Sequence, residues 1–143
     1  MLHLVHPALV HVTVAFLVVG GIVELCGLLA RREGARIFGG ILVGLGTASL
    51  LPTILFGYLA ENSLTLPAAA SEAVGDHERL GLLTLGTFLP LLVMKAWGRG
   101  RPPERWRLVY LLGLAAGIAL TVATAFLGGS MVYRLGVGVG PAP

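Results

Sequence analysis

The sequence predicts an all-α membrane protein, a bundle of four transmembrane helices running up-down-up-down, and three observations predict it. Hydrophobic residues make up 56% and charged residues 12% of the 143 residues, with a mean hydropathy of +0.89, whereas a soluble domain carries about a quarter charged residues. Four apolar runs each reach the roughly 20 helical residues that cross a hydrocarbon core of about 30 Å. None of these runs alternates with period two, and open strands in lipid leave their backbone groups unsatisfied. The chain is read as one transmembrane domain over residues 1–143, with no soluble domain left over.

The spans are placed at 7–29, 37–60, 78–97 and 106–128. The opening MLHLVHPALVHVTVAF lacks the basic start of a secretory signal, and its apolar run continues to Glu24 and Arg31, so it is read as a retained first helix. Pro7 suits the first helical turn, where its missing N–H is not needed, which makes His6 the cap. Gly20, Gly21 and Gly27 allow another helix to approach. The second span carries Gly40 and Gly44 as a small-xxx-small pair and Pro52 as a kink site, and the fourth repeats the pair with Gly113 and Gly117. The stretch ENSLTLPAAASEAVGD is the place for a short interfacial helix or lid, with Asp76 capping the third span. No repeated halves are read, which argues against a transporter acting alone.

Charge predicts orientation. Arg31, Arg32 and Arg36 in the first connection and Lys95, Arg99, Arg101, Arg105 and Arg107 in the third hold eight of the ten basic residues. Lys and Arg beside short loops stay on the cytoplasmic side, so both termini are expected on the periplasmic side of a bacterial inner membrane. The net charge of +3 is then a topology signal and points to no nucleic acid. Trp97, Trp106 and Tyr110 are expected in one aromatic belt, Tyr58 and Tyr133 in the other. Cys26 is the sole cysteine, so there is no disulfide framework and no CxxCH attachment of haem.

All four histidines fall toward one membrane face: His3, His6 and His11 at the start of the first helix, His77 at the start of the third. Ionisable residues inside spans are costly and default to functional candidates. His11 has Ala8 and Ala15 as same-face neighbours and His77 has Gly81, small residues that leave room for a flat macrocycle. In an up-down-up-down bundle the first and third helices are diagonal, so His11 and His77 are the expected axial ligands of one b-type haem, with His6 as substitute or supporting group. Arg79 and Arg134 are the expected partners of its propionates. Zinc or copper held by His3, His6, either His11 or His77, and a carboxylate is the alternative, as is no metal at all. Five residues of helix turn the chain by about 140°, so His6 and His11 do not share one centre if both are helical. Glu24, inside the first span, calls for Lys95 or a loop arginine, or for a proton.

HPALVHVTVAF resembles the HPxxVHxPxA opening of an uncharacterised bacterial family of small four-helix inner-membrane proteins, and GDHERLG and LGGSMVYRLGVGV resemble its later landmarks. The resemblance covers nearly the whole chain. It implies that His6, His11 and His77 match family histidines and that the protein works beside electron-transfer domains such as Rieske proteins. Phe126 and Leu135 stand where the family often has further histidines, which leaves one well-supplied site, with Met131 as a soft replacement ligand. The expected function is an electron-transfer or accessory subunit of a larger membrane complex or homo-oligomer, in contact with lipid and a quinone. The alternative is a cofactor-free structural subunit packed through its glycine-rich helices. No catalytic constellation is read: there is no nucleophile motif, phosphate loop or HExxH.

Overall fold

The computed structural model describes residues 2–63 and 68–139, with the side chains of 5–63 and 70–139. Among them are four long helices and no strand: α1 (Leu2–Leu29), α2 (Glu33–Ser63), α3 (Ala68–Trp97) and α4 (Arg107–Leu135), with a single 3-10 turn at Glu104–Trp106 before α4. Each helix is long and apolar enough to cross a membrane. The helices alternate in direction, and α1 and α3 lie diagonally opposite, as do α2 and α4.

The first three helices begin earlier than expected. α1 starts at Leu2, so Pro7 lies inside it and His6 is a helical residue and not a cap. α3 starts at Ala68, so Asp76 is also internal, and its carboxylate holds Arg79 at 3.2 Å. Of the expected lid, residues 61–63 close α2 and 68–76 open α3, while 64–67 lie outside the described residues. Tyr110 leaves its expected belt for the core, where it is 1% exposed. Trp97 and Trp106 on one level, and Tyr58 and Tyr133 on the other, remain exposed as interfacial residues do. α4 ends on Gly136, whose left-handed backbone (φ 67°) returns an N–H to Met131.

α1 and α2 pack most closely because glycine removes side chains where they cross. A Cβ on Gly20 would lie 2.6 Å from Leu42, and Cβ atoms on Gly27 and Gly39 would enter the backbone of Arg36 and Glu24. Lipid gives no hydrophobic drive between helices, so such close contact supplies the attraction.

The expectation of no repeated halves is corrected by the contacts themselves. His6 meets the Thr53 carbonyl and His77 the Thr124 carbonyl, both 47 residues on. Thr13 meets Thr53, and Thr84 meets Thr124, both 40 residues on. Leu17 packs on Gly46 as Phe88 packs on Gly117. Glu33 pairs with Arg36 as Glu104 pairs with Arg107. One offset relates all of these, the 71 residues that separate Glu24 from Lys95. The second hairpin therefore repeats the first in the same direction, the parallel arrangement that places an axis along the membrane normal. Side-chain identity survives at few places outside these contacts, which hides the repeat from composition and hydropathy.

Candidate functional site

The inward stripe of α1 runs through His6, Thr13, Leu17, Gly20, Glu24 and Gly27, and that of α3 through His77, Thr84, Phe88, Leu91 and Lys95, with Gly98 just beyond its end. Across the axis these stripes form layers. The outermost layer is His6 and His77, whose ring centroids are 6.3 Å apart with planes at 89°.

Each ring is tethered in the same way. His6 Nδ1 lies 2.8 Å from the Thr53 carbonyl oxygen and His77 Nδ1 lies 3.1 Å from that of Thr124. A carbonyl only accepts, so each Nδ1 carries a proton and donates, which leaves Nε2 as the nitrogen whose lone pair can be free. The fourth residue after each carbonyl is glycine. A Cβ on Gly57 would come within 2.9 Å of His6 Cε1, and one on Gly128 within 3.0 Å of His77 Cε1. In a helix the side chain at i+4 covers the carbonyl at i, so these glycines uncover the two acceptors.

Beneath the rings, Thr13 Oγ1 meets Ser49 Oγ at 2.8 Å and Thr53 Oγ1 at 2.9 Å. Thr84 and Thr124 face each other at 3.4 Å, each donating to its own helix. Leu17, Val43, Leu50, Phe88 and Leu114 close the middle of the bundle with an apolar layer.

The next layer is ionic. Glu24 is 0% exposed, and its Oε1 accepts from Lys95 Nζ at 2.6 Å and from Tyr110 Oη at 2.9 Å. Gly40 makes the space that the ammonium fills. Oε2 is buried without a partner among the described residues. The expected pairing of Glu24 with Lys95 is what the structure contains.

At the arginine end the halves hold each other crosswise. Arg36, at the start of α2, donates to the Gly100 carbonyl beyond α3, and Arg107, at the start of α4, donates to the Leu28 carbonyl of α1 at 3.1 Å. Arg36 also bonds both carboxylate oxygens of Glu33, and Arg101 reaches Glu33 at 2.9 Å. The hydrogen bonds from Arg36, then the bond and charge of Arg101, hold the Glu33 carboxyl down at about 2, below its ordinary 4.5.

Of the residues singled out in the sequence, His6 and His77 come together and His11 does not join them. The His11 ring is exposed on the outside of the bundle, with Nδ1 returning 2.6 Å to the Pro7 carbonyl of its own helix. Ala8 and Ala15 beside it are exposed as well. Because α1 is already helical at His6, the 140° turn falls between the two histidines and sends His11 outward. Arg79 is exposed and bound to Asp76, and Arg134 lines a shallow cavity on α4 with Phe126 and Tyr133. The His3 side chain lies outside the described residues. No group of three or more His, Cys, Asp and Glu gathers among those described.

Thr53 and Thr124 were expected only to bond through their hydroxyls within or between helices, as they do; the role of their carbonyls and of Gly57 and Gly128 was missed by the sequence reading. Their signal was available as two copies of H-x6-T, each followed by T-x3-G at the same distance.

These features define a multi-pass α-helical membrane protein whose two repeated hairpins bring one histidine each to a common axis. The chain belongs to the family described as Predicted membrane protein (DUF2231), which it matches over residues 2–141. No curated protein and no solved structure matches it.

Proposed function

We propose that the chain is an electron-transfer or accessory subunit that holds a b-type haem between α1 and α3, with His6 and His77 as axial ligands. The observation that supports this is the pairing of two imidazoles from diagonal helices, each anchored through Nδ1 so that the lone pair of Nε2 is left to ligate a metal. Two imidazoles that approach one metal from opposite sides at about 2 Å each would have centroids roughly 6 Å apart, and the 6.3 Å separation is close to that. A backbone acceptor on the far nitrogen is the usual support of a metal-bound histidine, fixing its tautomer and raising its basicity. Haem would supply one-electron transfer. The protein supplies the rest: Thr53 and Thr124 orient the rings, Gly57 and Gly128 admit them, and the apolar layer below keeps water from the inner half. Arg79 and Arg134, at the same end of the bundle, are the cationic residues for propionates.

In this reading the arginine end faces the cytoplasm and the histidine end the opposite side, following the distribution of basic residues. Lipid surrounds the bundle, and the redox partners are a larger membrane complex and a quinone. Zinc or copper fits less well, since two imidazoles supply half of a tetrahedral set.

Protein purified after haem-replete expression is expected to show a Soret band at one haem per chain. His6→Ala and His77→Ala abolish it, while His11→Ala retains it. Absence of haem from folded wild-type protein would leave the cofactor-free structural subunit as the better account.

A further inference from the structure

We propose that the cavity at the arginine end is a binding site for a phosphate group, carried either by an anionic phospholipid or by free inorganic phosphate. The cavity measures about 250 Å³ and is lined by Arg31, Arg32, Arg36, Arg101 and Arg107, set against only two carboxylates, Glu33 and Glu104. Those carboxylates are already engaged. Glu33 is held by Arg36 and Arg101, and Glu104 lies 3.5 Å from Arg107. Arg31 and Arg32 have no carboxylate within 4 Å among the described residues.

The lining thus carries a net charge of +3, and two of its guanidinium groups, those of Arg31 and Arg32, lack an anion. Guanidinium groups present paired N–H donors that match the oxygens of a phosphate. The backbone adds to this, because α2 begins at the lining residue Glu33, which places the positive end of its dipole at the cavity wall. The wall is also rigid. Arg36 is 8% exposed and locked by Glu33 and the Gly100 carbonyl, so it shapes the site while Arg31 and Arg32 remain to contact the ligand.

Depth favours the same ligand. Trp97 and Trp106 are exposed at this end, where indoles mark the boundary between headgroups and hydrocarbon. Basic pockets between transmembrane helices at that depth receive anionic headgroups. The site is independent of the histidine pair, and its occupancy would clamp the two hairpins where Arg36 and Arg107 already cross between them.

The test uses full-length protein, delipidated in neutral detergent. Thermal unfolding is followed while phosphatidylglycerol, phosphatidylcholine or inorganic phosphate is added at constant ionic strength. A saturable rise in Tm with phosphatidylglycerol but not phosphatidylcholine is the expected result and identifies a lipid headgroup. A saturable rise with inorganic phosphate alone identifies a free anion in the same site. Arg31→Gln/Arg32→Gln removes no ion pair, so it is expected to fold as wild type and to bind at least about tenfold more weakly. Arg32→Gln alone, which leaves the left-handed backbone of Arg31 (φ 55°) untouched, is expected to weaken binding in the same direction. Absence of saturable binding by either phosphate source, or equal binding by wild type and variants, overturns the proposal.

Discussion

Glu24 and Lys95 occupy equivalent positions of the two hairpins, 71 residues apart, yet carry opposite charge and meet at 2.6 Å across the axis. Two identical hairpins would bring like charges together there, so the opposed pair makes each half the specific partner of the other. A charge left alone in this layer has no water to solvate it. Lys95→Met is expected to destabilise the protein by about 3 kcal/mol or more, since breaking a buried pair strands its partner. Glu24→Gln/Lys95→Met is expected to recover most of that loss, because the Gln carbonyl still accepts from Tyr110 and no charge remains. Thermal unfolding of both variants in one detergent checks the ranking, and a double variant no better than Lys95→Met would contradict it.

Gly57 and Gly128 make a paired prediction about the histidines. Gly57→Ala places a methyl group against His6, and Gly128→Ala places one against His77, so each imidazole loses its carbonyl. Each change is expected to cost about 1–3 kcal/mol from overpacking and the lost hydrogen bond. Gly86→Ala, which meets nothing within 4 Å, serves as the neutral control. ¹⁵N NMR of labelled histidine reports the outcome directly: the Nδ1–H signal of one ring shifts in each variant and the other stays. Unmoved signals in both would mean that the glycines do not admit the rings.

The class of fold was legible because hydropathy is a long-range sum, insensitive to a few misplaced residues. Glu24 was legible for a different reason: a lone carboxylate in an apolar run demands a cation, and Lys95 was one of few at that depth. The histidine site was legible only in part. Whether His6 or His11 faces inward depends on where α1 begins, and Pro7 at a helix start is a sound expectation that the structure moves by several residues. A shift of the helix start past His6 turns it from cap into inward-facing side chain. The acceptors themselves are backbone carbonyls, which leave no mark in a sequence. Only their glycines do, and those glycines become informative once the second hairpin is laid over the first.

The hydroxyl layer predicts an asymmetry between the repeats. Thr13 is 3% exposed and its hydroxyl bridges Ser49 and Thr53 on the neighbouring helix. The equivalent Thr84 hydroxyl is satisfied by the Leu80 carbonyl of its own helix and stands 3.4 Å from Thr124. Interhelical hydrogen bonds in membranes contribute roughly 0.6 to 1.7 kcal/mol. Thr13→Val is therefore expected to lower stability by about 1 kcal/mol and Thr84→Val by less than half of that. Equal losses in unfolding measurements would show that the two layers carry the same load.

The arginine end predicts a pH dependence whose direction follows from Glu33. This residue precedes the apolar run that begins at Ile37, and its carboxyl is held at about 2, chiefly by hydrogen bonds from Arg36. A carboxyl whose folded value lies below its unfolded value contributes stability that is fully present above the ordinary 4.5 and fades as pH falls toward 2. The gap in Tm between wild type and Glu33→Gln is therefore expected to stay constant from neutral pH down to about 5 and to close on further acidification. Because the group is exposed, salt should narrow the gap at neutral pH as well. A gap that widened on acidification would require Glu33 to be protonated more readily in the folded protein, which the two guanidinium groups beside it oppose.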